Sequence, residues 1–257
     1  MDALQVVARN HAEASENRIH SDAAARRYGF AGALVPGVAV YAYLTRPLVA
    51  RFGEDWLSRS QSEVRLFKPA YDGDTLQITA APDGDDWLTR CRNAQGDVLA
   101  ELRSRFVETL PPAAPPDGFD APPKDDARPE ISWDAVRPGQ PFRPWHWQIT
   151  QDANRAWAEQ VADDLPVYTH AAHPHWLLGI ANRALTREFV MPAWLHVGSE
   201  IQFRRLLRLN DTVEVRAIPL EKWERKGHAF LRVYLALYRD DELTTEIRHT
   251  AIFRVAS

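Results

Sequence analysis

The segment ENRIHSDAAARRYGFAGALVPG (16–37) holds the residues best suited to chemistry, His20 and, three positions earlier, Asn17. An imidazole with an ordinary pKa near 6.5 can take up or release a proton at neutral pH. An Asn amide can donate and accept hydrogen bonds beside it. Seventeen residues after the His comes Val35-Pro36-Gly37, which leads into an apolar run. The first N–H groups of a helix lack intrahelical acceptors and carry the positive end of its dipole. They can hold an anion or an oxygen that gains charge during a reaction. A glycine there admits close approach to the backbone. A proton-transfer group facing such an oxygen site is what chemistry beside a thioester carbonyl requires. Each residue also has a structural reading: a turn His, a capping Asn, a glycine that relieves crowding. Spacing alone leaves both readings open.

These residues need elements to position them. SDAAARRYGF reads as a short helix, with Ser21 or Asp22 as its cap and Gly29 at its end. VAVYAYLTRPLVARFG (38–53) is apolar on most faces, as in a buried helix, and Pro47 should kink or break it. HWLLGIANRALTREFV (175–190) is its counterpart in the second part of the chain. Period-2 segments follow each helix, at 62–68, 74–80, 86–92 and 97–108, then at 199–206, 212–219, 228–238 and 243–255. SEVRLFKPAYDGDTLQI from Ser62 and SEIQFRRLLRLNDTVEV from Ser199 share Ser-Glu and Asp-Thr at an offset of 137, an internal repeat. Between them LPPAAPPDGFDAPPKDDARPE (110–130) holds seven of eighteen prolines and reads as an extended linker. The expected organisation is α+β: residues 1–110, a linker over 111–140, and 141–257, each half a sheet wrapped around one apolar helix. Two such sheets side by side would cover each other's edges. Two independent α+β domains are the alternative.

The segment NRIHSDAAARRYGFAGALVPG resembles the hydratase motif of MaoC-like proteins, in which D-x-N-P-x-H precedes a small helix, Gly-Phe and a His-Gly. The resemblance implies a hot-dog fold and, with two halves, the double hot dog of the larger MaoC-like and R-specific enoyl-thioester hydratases. It implies that His20 is the acid/base, that Asn17 positions it, and that the Gly37 N–H polarises the substrate carbonyl. Val38 and Thr45 join the implied substrate-binding set. The chain departs from the motif at three places. Ser15 stands where the family has its catalytic Asp, with Glu16 next to it; Arg18 replaces the Pro, and Pro36 the second His. Serine is not a base at its normal pKa without an activating partner, so Glu16 or Ser15 is expected to hold the water. The implied reaction is reversible hydration of an enoyl thioester carried on coenzyme A or an acyl carrier protein. Thioester hydrolysis and silent acyl-thioester binding are the rivals, the last favoured by the missing Asp.

Other candidates carry less. ADDLPVYTH aligns with ASENRIHSD, setting Asp163 opposite Ser15 and Tyr168 opposite His20. His170, His173 and His175 lack acidic or Cys partners at a metal-site spacing, and read as a cleft-lining loop or helix cap. FRPWHWQI (142–149) reads as a strand on a core or the lining of an acyl tunnel; Arg204, Arg205 and Arg208 as a solvated face or contacts to phosphates. Cys91, the only cysteine, sits in a strand pattern and excludes an internal disulfide. A net charge of −4 with interspersed signs speaks against nucleic acid as a partner. No membrane-length apolar run or signal-peptide pattern occurs. A cytoplasmic protein without cofactor or metal is expected; a homodimer is left open.

Overall fold

The structure is a computed structural model, and it describes residues 3–120 and 128–256. Ten antiparallel strands form one sheet. They are β1 (Leu4–Val7), β2 (Ser60–Leu66), β3 (Thr75–Asp83), β4 (Asp86–Arg92), β5 (Val98–Phe106), β6 (Trp145–Gln148), β7 (Leu195–Phe203), β8 (Thr212–Arg225), β9 (His228–Arg239) and β10 (Glu242–Arg254). Their order across the sheet is β1-β3-β4-β5-β2-β7-β10-β9-β8-β6. Read from the centre outwards, the two halves have the same order. The sheet is therefore continuous, against the alternative of two separate domains.

The seam between β2 and β7 explains the repeat. Glu63 pairs with Glu200, its own counterpart at an offset of 137, while Ser62 faces Ile201 and Val64 faces Ser199. The internal repeat is thus a local two-fold axis through the middle of the sheet. Gly198 lies two residues from that axis, opposite Arg65, where a Cβ would lie 2.9 Å from the Val64 carbonyl.

Among the described residues there are also five α-helices: α1 (Asp22–Arg27), α2 (Gly37–Phe52), α3 (Glu54–Arg59), α4 (Gln151–Gln160) and α5 (Pro174–Glu188). α2 and α5 are the buried pair and pack against each other in the concavity of the sheet. Ten of the sixteen residues of α2 are buried, including Tyr41, Leu44 and Leu48. α2 runs through Pro47, so the expected break does not occur. Burial of both flanks of the helix outweighs one missing hydrogen bond. The segment 111–120 is not a loose tether. Phe119 is buried against Tyr234 and Ile218 on the outer face of the second half, and Arg204 bonds the Pro111 carbonyl. The rest of the Pro-rich stretch, 121–127, lies outside the described residues.

Candidate functional site

His20 ends a 3-10 turn (Arg18–His20) capped by Asn17. Its ring is fixed at both nitrogens. Nδ1 lies 2.7 Å from the Leu34 carbonyl, an acceptor only, so Nδ1 carries the proton. Nε2 then carries no proton and accepts from the Asn17 Nδ2–H at 3.3 Å. Burial pushes the His20 pKa below its ordinary value, with the Leu34 carbonyl pulling weakly the other way. The ring is a neutral base at pH 7.

Asn17 is buried and its amide is saturated. Oδ1 accepts from the Trp194 N–H at 3.1 Å, and Nδ2 donates to the Trp194 carbonyl at 3.0 Å. This side chain mimics a strand partner and staples the His20 loop to the chain just ahead of β7. The first half's histidine is therefore positioned by the second half. Ser21 does not cap α1; its hydroxyl bonds Arg18, and Asp22 instead accepts from the Ala33 N–H at 2.7 Å. That contact holds the loop that brings Leu34 to His20.

The Ala39 and Val40 N–H groups bond the Pro36 carbonyl at 2.9 and 3.2 Å. The N–H groups of Gly37 and Val38 have no acceptor among the described residues. A Cβ on Gly37 would lie 2.5 Å from Leu66 Cδ1 and 3.0 Å from His196 Nδ1. Only glycine fits so close to both.

Two cavities meet at His20. One, of about 200 Å³, is lined by Ile19, Leu34, Val35, Gly37, Val40, Leu66, His196 and Ile252 among others. The other, of about 430 Å³, is lined by Ser15, Glu16, Val38, Trp157, Gln160 and His175 among others. Asn17, His20, Pro36, Asn182 and Trp194 border both. A long ligand could thread from one to the other past the imidazole.

The remaining expected site residues fall differently. Glu16 turns to the surface and forms an ion pair with Arg128, which lowers its pKa. Ser15 Oγ bonds the Asn17 carbonyl at 3.3 Å. Both border the larger cavity, yet neither is hydrogen-bonded to His20. Thr45 is fully buried, its hydroxyl bonded to the Ala42 carbonyl at 2.9 Å, and it lines neither cavity. It has no route to a substrate in either one.

His173 caps α5, His175 lines the larger cavity, and His170 pairs with Glu54 at 2.6 Å on the surface. No group of three or more His, Cys, Asp or Glu that could hold a metal occurs among the described residues. Arg204, Arg205 and Arg208 are engaged by Glu246, Glu242 and Glu54. Trp145 and Trp147 of the aromatic run lie in the edge strand β6. Sequence reasoning missed Asn182 and His196, which the fold brings to the His20 cavity from α5 and β7. A lone Asn on an otherwise apolar helix face was the available signal for the first.

No family model matches the chain, and no curated protein does. Solved structures do match in shape. A protein provisionally named a MaoC domain dehydratase, from Chloroflexus aurantiacus, is 13 % identical with a TM-score of 0.58; the match covers 100 % of this chain and 95 % of that one. A Mycobacterium tuberculosis protein described as having a double hotdog fold is 13 % identical with a TM-score of 0.61, covering 98 % and 95 %. A protein provisionally named an oleoyl thioesterase, from Lactobacillus plantarum, is 12 % identical with a TM-score of 0.58, covering 98 % and 95 %. The fold is a double hot dog. Each hot dog contributes one buried helix and five strands, and the candidate site lies where the first helix's head meets the second half. Among the described residues no helix is long and apolar enough to cross a membrane.

Proposed function

We propose that this double hot-dog protein adds water to an enoyl thioester, or removes it from a 3-hydroxyacyl thioester. The observation that carries the reading is a neutral, lone-pair-bearing His20 that borders both cavities, with Gly37 and its unpaired N–H on the smaller and Val38 with its own on the larger. The shape likeness to proteins named as dehydratases supports it. In the hydration direction, His20 Nε2 takes a proton from water as the oxygen adds to C3. Negative charge moves to the thioester oxygen, where the Gly37 and Val38 N–H groups stabilise it. The resulting imidazolium returns the same proton to C2. One water supplies both H and OH, so a single base that becomes an acid completes the cycle without the motif's Asp. Asn17 fixes the ring's angle, and Ser15 and Glu16 border the water side of the cleft. The substrate is a thioester of coenzyme A or acyl carrier protein.

The same water, turned on the thioester carbonyl itself, would give hydrolysis, and a similar shape carries a thioesterase name. One assay separates the readings. With crotonyl-coenzyme A, hydration removes the conjugated absorbance, whereas hydrolysis releases a thiol. Loss of absorbance without thiol is expected. Thiol release, or binding without either change, would replace this reading with a rival. The hydration rate should rise with pH through a value below 6.5, as His20 deprotonates, and then level off.

A further inference from the structure

Three buried polar atoms on the second half's side of the cleft have no hydrogen-bond partner among the described residues: Asn182 Oδ1, Trp194 Nε1 and His196 Nδ1. All three residues line the cavity that holds His20. Buried polar atoms are seldom left unpaired, so their convergence on one cavity points to a ligand that completes them. His196 is wired further. Its Nε2 lies 2.9 Å from Ser199 Oγ, and that hydroxyl lies 3.0 Å from His249 Nδ1. The two rings stack with centroids 4.4 Å apart. His249 is completely buried and its Nε2 has no partner among the described residues. At the other end of the chain of contacts, His196 Nδ1 faces the head of α2, 3.0 Å from where a Cβ on Gly37 would stand.

The Ser199 hydroxyl has one proton, so it donates to one imidazole and accepts from the other. Burial lowers the pKa of both rings, that of His196 to about 4 against an opposing pull from the Gly198 carbonyl beside it, and both are neutral at pH 7. If Ser199 donates to His249, then His249 carries its own proton on Nε2, a donor sealed in the core with no acceptor. If Ser199 donates to His196, the sealed His249 Nε2 is a bare lone pair and His196 presents an N–H at Nδ1. An orphaned buried donor is rarer than an under-used acceptor. Each arrangement leaves one buried donor unpaired, His249 Nε2–H in the first and His196 Nδ1–H in the second; only the second puts that donor on a residue that lines the cavity, where a ligand oxygen can pair it.

We propose that the His196 Nδ1–H is a second donor to the substrate's thioester oxygen, beside the Gly37 N–H, with Ser199 and His249 fixing its tautomer. This deepens, and rests on, the reading of the cleft as a thioester site. The oxygen site is then shared between the halves: a backbone donor from the first and an imidazole donor from the second.

Two substitutions separate the role of Nδ1 from that of the relay. His196→Asn puts an amide N–H near the Nδ1 position; His196→Gln puts one near Nε2 and removes the donor. Hydration of crotonyl-coenzyme A is expected to fall about 10²–10³-fold in kcat/KM for His196→Gln, the usual cost of one lost oxyanion donor. His196→Asn should retain at least about tenfold more activity than His196→Gln, for the same reason. Equal losses in the two, or none, with an active parent protein would overturn the role of His196 and leave the proposed function standing. A parent protein that neither hydrates nor releases thiol would overturn the proposed function. The role of His196 would then be decided by 15N-histidine NMR on the unsubstituted protein, which also covers variants that fail to fold. A proton on His196 Nδ1 that shifts when butanoyl-coenzyme A is added supports the inference; a proton on Nε2, or no shift on binding, overturns it.

Discussion

The two halves enter their buried helices by different routes, and the difference decides which half holds the candidate site. In the first, the 3-10 turn at Arg18–His20 is followed by residues 21–36, including α1, before α2 begins at Gly37. In the second, a matching 3-10 turn at Pro166–Thr169 leads through residues 170–173 directly into α5. The longer route in the first half carries Leu34 back to hold His20, and leaves a cleft between the loop and the helix head. The shorter route draws the second turn down onto its helix. There Tyr168 packs on His173 with ring centroids 4.2 Å apart. Asp163, the acid that the first half lacks, is buried with His173 Nε2 at 3.2 Å and Arg46 Nε at 3.5 Å. α4 closes the remaining side, Trp157 lying so near Gly179 that a Cβ there would be 3.0 Å from the indole. One local two-fold thus relates an open loop that carries His20 to a sealed polar cluster. The extra residues of the first half keep a polar ring beside empty space.

The contrast is broken most severely by removing each half's central group. His20→Ala should lower the hydration rate by about 10²–10⁴, the range for a lost acid–base group. It should change stability little, because the ring borders cavities on both sides. Asp163→Asn should do the reverse. Removing one partner of a buried ion pair costs about 3 kcal/mol, read as a lower urea midpoint, while kcat/KM per folded molecule stays unchanged. If Asp163→Asn abolishes activity in folded protein, the sealed cluster communicates with the cleft and the comparison is wrong.

Acid sharpens the contrast less strongly. Burial pushes the pKa of His175 down to about 3, that of His196 to about 4, and that of His249 well below its ordinary value. Each has a folded pKa below its unfolded one, so the unfolded chain binds more protons once the pH drops under about 6.5. Stability present above that pH is lost as the pH falls towards the folded values. At pH 5 the expected loss is about 2 kcal/mol each for His175 and His196, at 1.36 kcal/mol per pH unit, and His249 adds in the same direction. Urea unfolding at pH 7 and pH 5 measures it. A flat profile would mean that the three rings are solvated.

The period-2 runs and two apolar helices made the sheet and its filling legible in the sequence, and the 137-residue offset proved to mark the two-fold axis at Glu63 and Glu200. The short edge strand β1 and the polar helix α4 were not legible. LQVV is too brief to show a period, and QDANRAWAEQ has its few apolar residues turned to a neighbour that only tertiary structure supplies. The first half of the site was readable because Asn17, His20 and Gly37 fall within one local segment. The second half was not: His196 meets Gly37 only through the β2–β7 seam, and Asn182 reaches the cleft from α5. The direction of the Glu16 side chain was also hidden, because its partner Arg128 lies 112 residues away.

That ion pair gives the smallest expected effect and the sharpest check on the motif's missing acid. Glu16 is exposed and held by Arg128, which also bonds the Thr186 carbonyl at 2.7 Å and so stays in place without it. If His20 alone shuttles the proton, Glu16→Gln should leave kcat/KM within about threefold, as for an ordinary surface substitution. Salt supplies the control. Raising ionic strength weakens an exposed ion pair and frees the carboxylate to turn inward. With His20 acting alone, the parent protein and Glu16→Gln should respond to salt in parallel. A rate that climbs with salt in the parent and stays flat in Glu16→Gln would mean that the carboxylate swings into the cleft and takes the place of the absent Asp. The first half would then own a complete acid–base pair, closed off by Arg128 rather than lost.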